Sequence, residues 1–240
     1  MKVWDCESVA LPLETLKRIH PEFDPDAVKL GNIKDPEKAR AKIDEARASF
    51  WDDVVEAAPL DARYSQCVCV CFTEDGDQVE VLRLDRPEQT EAEFLNAVWL
   101  RIEDCWGQEH VGFNSNHFDI AFLIRRSWLV GAVVPPILDA RGYPLDWFID
   151  LLDCWRLGDR QLSTGGLNQM LQAFGLPLKT GDGKEFGKLW ATDRVKAIEY
   201  ARQDVVCTWK LAQRILPMPV SRQKARLSAG SEAKLQEAGF

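Results

Sequence analysis

Apolar positions along the 240 residues recur first at strand spacing and later at helical spacing. Residues 1–7 read as a strand, followed by a proline-containing loop. "PEKARAKIDEARASFWDDVVEAA" then aligns Ile43, Ala46, Phe50 and Val54 on one stripe and predicts a helix from Pro36 to about Ala57. Two further strands, 65–73 and 78–84, meet at "EDGD", a hairpin turn signal. Thr90 is placed to cap a helix bearing Phe94, Val98, Ile102 and Cys105, with Glu93 completing a capping box. A short strand at 110–113, a helix from about Asp119 to Leu129, a strand near 148–153, a helix from Leu167 to Phe174 and a long helix from about Asp193 to Ile215 follow. Beyond Pro217 the apolar periodicity fades into a tail. A meander of strands followed by strands alternating with helices predicts an α/β layer fold around one mixed sheet.

Composition changes this picture little. At 46% hydrophobic and 28% charged, the chain is an ordinary globular sequence. Its net charge of −8 offers no broadly basic face, so any polyanion must be held locally or through cations. The longest apolar run, "WLVGAVVPPIL", is too short to span a bilayer and contains a proline pair. The acidic start "MKVWDCE" shows no apolar signal core, and the expected location is cytoplasmic, with no membrane. None of the cysteines forms a Cys-x-x-Cys pair, and His20, His110 and His117 sit far from most of them, so zinc is not expected. "CVCVC" reads as a buried strand with Cys67, Cys69 and Cys71 on one face and Val68 and Val70 on the other.

The candidate chemistry lies in three places. Asp5 and Glu7, at i and i+2 of the first strand, project to the same side. Asp119 opens a helix directly after a strand in "VGFNSNHFDIAFLIRR". Tyr200 and Asp204 stand four apart on the last helix and share a face. Taken singly, Asp119 could be a helix cap and Asp204 a solvated acid.

Taken in order, Asp5-x-Glu7, Asn114-x-x-x-Phe118-Asp119 and Tyr200-x-x-x-Asp204 resemble the three motifs of the DEDDy class of 3′–5′ exonucleases. "VGFNSNHFDIAFLIRRS" is similar to the second motif of the proofreading domain of family B DNA polymerases. "GNIKDPEKA", "LNQMLQAFGLPLK" and "EYARQDVVCTWKL" resemble the stand-alone bacterial and phage exonucleases related to that domain. The resemblance covers roughly residues 1–216 as one domain, with a helical insertion at about 20–62 and a tail at 217–240. It implies an RNase H-like fold: a five-stranded mixed β-sheet, the first strand central, with helices on both faces.

The same resemblance makes Asp5, Glu7, Asp119 and Asp204 metal ligands and Tyr200 the residue that holds the attacking water. Cys6 and Ser8 stand where an aliphatic residue and Thr are commoner. Four clustered carboxylates cannot all stay ionised without cations, and an all-oxygen set selects Mg²⁺ or Mn²⁺. Two such ions, about 3.5–4 Å apart, would clamp the attacking and leaving oxygens of a phosphodiester. Glu199 stands where the DEDDh branch has His, and no His follows His117, which leaves the tyrosine branch. The implied activity is metal-dependent 3′–5′ hydrolysis of DNA, from single-stranded 3′ ends, to 5′-mononucleotides. RNA hydrolysis by the same chemistry and a non-catalytic nucleic-acid-binding or polymerase-accessory module are the alternatives. A DNA polymerase or the replication and repair machinery is the partner the resemblance suggests.

Other candidates are softer. Asn114 and Phe118 resemble residues that line the cleft near the 3′ end, where a ring can stack on a base. Arg125 and Arg126 read as a solvated helix face. "LKTGDGKEFG" reads as a mobile loop whose Lys179, with Lys184 and Lys188, could contact phosphate; Arg202 reads as a solvated charge. The helix at 36–57 is either a lid or guide for the strand or a packing element.

Overall fold

β1 (Lys2–Ala10) carries the β-formers Val3, Trp4 and Val9, and Val3, Trp4 and Cys6 are buried along it. In the computed structural model, which describes residues 1–104, 108–135, 148–159, 162, 165–181 and 183–216, this strand lies at the centre of the sheet. It pairs antiparallel with β2 (Ser65–Thr73), which pairs antiparallel with β3 (Val79–Arg83). On its other side it pairs parallel with β4 (His110–Gly112), and β4 pairs parallel with β5 (Phe148–Asp150). The order β3-β2-β1-β4-β5 is the five-stranded mixed sheet implied above, and it is RNase H-like.

Helices cover both faces. Trp4, Cys6, Val70 and Phe72 pack against Phe94, Leu95 and Val98 of α3 (Glu91–Glu103) and Ile120, Leu123 and Ile124 of α4 (Asp119–Val130). The opposite face, with Val3, Cys69, Cys71 and Val111, packs against α6 (Leu167–Ala173), α7 (Phe186–Thr192) and α8 (Arg194–Ile215). The Thr90–Glu93 capping box is present: Thr90 Oγ1 accepts from the Glu93 N–H, and Glu93 Oε2 accepts from the Thr90 N–H. Three more helices are described, α1 (Leu13–Ile19) and α2 (Pro36–Ala57) before β2 and α5 (Leu151–Arg156) after β5. No helix among the described residues is long and apolar enough to cross a membrane.

Several expectations need correction. The three cysteines of β2 do not share a face. Glu7 pairs with Cys69 and Ser8 with Cys67, so Val68 is the extra residue of a β-bulge. Cys67 consequently joins the α3–α4 core, while Val68, Cys69 and Cys71 join the other. The strand near 148–153 stops at Asp150, whose carboxylate accepts the Leu152 N–H and starts α5. The loop after the first strand contains α1, and the segment 178–187 runs into α7 at Phe186. Arg126 is buried rather than solvated: it forms a two-point ion pair with Glu91 and donates to the Ala62 carbonyl. The stripe of α2 is only half-buried except at Val54, and it rests on a small cluster with Leu16 and Ala58. Cys105 and the tail from Pro217 lie outside the described residues.

Candidate active site

The two-residue repeat of β1 points Asp5 and Glu7 toward α8, because their partners Cys71 and Cys69 belong to the core on that face. There they meet Asp204, three turns into α8 and buried against the sheet. Asp5, Glu7 and Asp204 each offer a carboxylate oxygen, and these oxygens all lie within 4.8 Å of one another. Asp204 is therefore no solvated helix acid. Its Oδ2 accepts from Lys179 Nζ at 2.7 Å, while its Oδ1 is buried with no hydrogen-bond partner.

Asp119 approaches from the other layer. No side chain caps α4; the buried Asp119 carboxylate accepts the Cys6 N–H at 3.0 Å instead, between the two first-strand acids. It lies outside the group of three but close enough for its charge to act on Asp5.

Burial pushes the Asp5 carboxyl well above its ordinary range, and the charges of Asp119, Glu7 and Asp204 push the same way. Glu7 is raised by burial and then by Asp204. Burial also raises Asp204 and Asp119, opposed by Lys179 at Asp204 and by the Cys6 N–H at Asp119. Three converging acids with one orphaned buried oxygen form a hard oxygen set that fits Mg²⁺ or Mn²⁺.

Tyr200, one turn before Asp204, is buried against Phe186, and its hydroxyl accepts from Lys179 Nζ at 2.8 Å. Burial raises its phenol above the ordinary value, with Asp204 adding to the shift and Lys179 opposing it. At Lys179, burial works against the charge, but Asp204 and the bonds to Asp204 and Tyr200 outweigh it, so the ammonium persists. Asn168 of α6 fixes the Lys179 backbone, accepting its N–H and donating to its carbonyl. Thr180 donates from its N–H and hydroxyl to Gln203, tying the same segment to α8. Sequence spacing carried no signal for this lysine as a partner of Tyr200 and Asp204, because its contacts span 21 and 25 residues of chain.

The remaining candidates stand further out. Asn114 adopts a left-handed φ of 63°, and its N–H donates to Asp150. Phe118 is half-buried and stacks on Phe122 at 5.4 Å between ring centroids. Arg125 and Arg202 are exposed, Lys184 pairs with Glu56, and Lys188 is exposed.

A model of the family described as "Predicted 3′–5′ exonuclease related to the exonuclease domain of PolB" matches residues 59–227. The match takes in Asp119, Tyr200 and Asp204 and begins after Asp5 and Glu7. Among solved structures, the chain is similar to the family B DNA polymerase of the hyperthermophilic archaeon Pyrobaculum calidifontis, with TM-score 0.55 and 17% identity. That superposition covers 90% of this chain and 24% of the polymerase, so the chain spans about a quarter of that protein's length. No curated protein matches the chain.

Proposed function

Because the chain belongs to the family of predicted 3′–5′ exonucleases related to the exonuclease domain of PolB, we propose that it degrades DNA stepwise from single-stranded 3′ ends, releasing 5′-mononucleotides. The observation that carries this reading is the convergence of Asp5, Glu7 and Asp204 beneath Tyr200 and Lys179. Asp5, Glu7, Asp119 and Asp204 would hold divalent cations, Mg²⁺ or Mn²⁺. When bound, these would neutralise the carboxylates, polarise the phosphodiester and make water a better nucleophile.

The protein's own groups do the rest. Tyr200 keeps its proton at neutral pH, since its phenol is shifted upward, and so it orients the attacking water rather than abstracting a proton. Lys179 donates to the tyrosine oxygen and brings one fixed positive charge to a site that must accept a polyanion. Asn114 and Phe118 flank the loop leading into Asp119, where the last base of a single strand would lie.

The deciding experiment is digestion of 5′-labelled single-stranded DNA and RNA with Mg²⁺. A ladder shortening from the 3′ end is expected on DNA; cleavage of a closed circular strand would overturn the polarity, and a faster ladder on RNA would overturn the sugar assignment. Tyr200→Phe tests the positioning role. It removes one hydroxyl while keeping the ring against Phe186, and turnover is expected to drop roughly 10- to 1,000-fold, about 1.4–4 kcal/mol, with DNA affinity unchanged. Wild-type single-turnover rates would reduce Tyr200 to a packing residue.

A further inference from the structure

A second group of metal-ligating side chains lies outside the carboxylate cluster, at the ends of β4 and β5. His117, Asp150 and Asp153 each offer a ligand atom, all within 4.8 Å of one another. His117 Nε2 lies 2.9 Å from Asp153 Oδ1 on the open side. Behind them sits Asn116, only 5% exposed. Its Nδ2 donates to Asp153 Oδ2 at 3.2 Å, while the Oδ1 at the other corner of the same amide is buried with no partner. A buried amide oxygen with no partner, on a residue whose other corner touches this group, lacks a donor or a cation.

We propose that His117, Asp153 and Asn116 Oδ1, backed by Asp150, form a second cation site, for a divalent transition ion such as Zn²⁺ or Mn²⁺. One imidazole among oxygen donors favours these ions over Mg²⁺. Although partial burial works the other way, the bonds from His117 and Asn116 hold the Asp153 carboxyl below its ordinary range, so it is ionised. Asp150 is the least available donor: Oδ1 already accepts from the Asn114 and Leu152 N–H groups, and Oδ2 from the Asn116 N–H. Its Oδ2 retains a lone pair for the ion. An ion here would tie the loop carrying Asn114 and Phe118 to α5. The proposal does not depend on the exonuclease reading.

Its test reads binding alone. In the full chain carrying Asp5→Asn and Asp204→Asn, which disables the first cluster, bound Zn²⁺ is counted by elemental analysis after equilibrium dialysis. Addition of His117→Ala is expected to remove about one equivalent, and Asp153→Asn to do the same. Mn²⁺ counted by electron paramagnetic resonance should fall in parallel. Equal metal content with and without His117, or none in either, would leave only an ion pair and overturn the site. His117 is exposed, so unfolding temperatures in chelator should be unchanged by His117→Ala, confirming that any lost binding is local.

Discussion

Excess chelator is expected to stop hydrolysis of a labelled single strand completely, and added Mg²⁺ or Mn²⁺ to restart it. The expectation rests on charge. Asp5, Glu7 and Asp204 converge, Asp119 adds its field, and the neighbouring ammonium of Lys179 provides a single positive charge. A phosphodiester brings further negative charge and would be repelled from such a pocket unless cations entered with it. The effect is therefore loss of activity rather than a moderate slowing, read as the disappearance of the ladder. Undiminished turnover after exhaustive chelation would refute a cation-dependent site.

Asp5→Asn should be equally severe for catalysis and opposite in sign for stability. Losing one carboxylate from the group is expected to lower turnover by at least about 1,000-fold, some 4 kcal/mol. The fold should survive, because Asn fills the same volume on β1. In metal-free protein the folded-state pKa of Asp5 is raised, so the folded chain binds more protons than the unfolded one. Stability then falls as pH rises from the unfolded carboxylate range, near 4, through the raised folded value. Asp5→Asn removes that loss. Its metal-free unfolding temperature should exceed the wild type's at neutral pH, by roughly 2–4 °C for each kcal/mol relieved, and the gap should close below about pH 4. A lower unfolding temperature at neutral pH would make Asp5 a structural acid.

The elements that were legible in the sequence are those whose signals are local. Pro36 opens α2, Thr90 and Glu93 open α3, and the two-residue repeat of β1 sets Asp5 and Glu7 on one side. What escaped depends on pairing across the chain. The bulge at Val68 is a property of two strands in register, so strict alternation assigned Cys67 to the wrong face. Arg126 reads as a surface residue until Glu91, 35 positions earlier, folds beside it. Lys179 joins Asp204 through a segment fixed by Asn168 and Gln203, contacts that no periodicity announces. His117 and Asp153 are likewise joined only when β5 takes its place beside β4.

The chain lying over Tyr200 also limits which residues can occupy it. Gly181 has a φ of +89°, and a Cβ built there would come within 3.1 Å of the tyrosine ring; one at Gly183 would come within 3.3 Å of its hydroxyl. At either position an added Cβ would force the tyrosine or the segment over it to give by a few tenths of an ångström. The two glycines act as a spacer, and drift in this surface segment is restricted by the position of an oxygen that belongs to another helix.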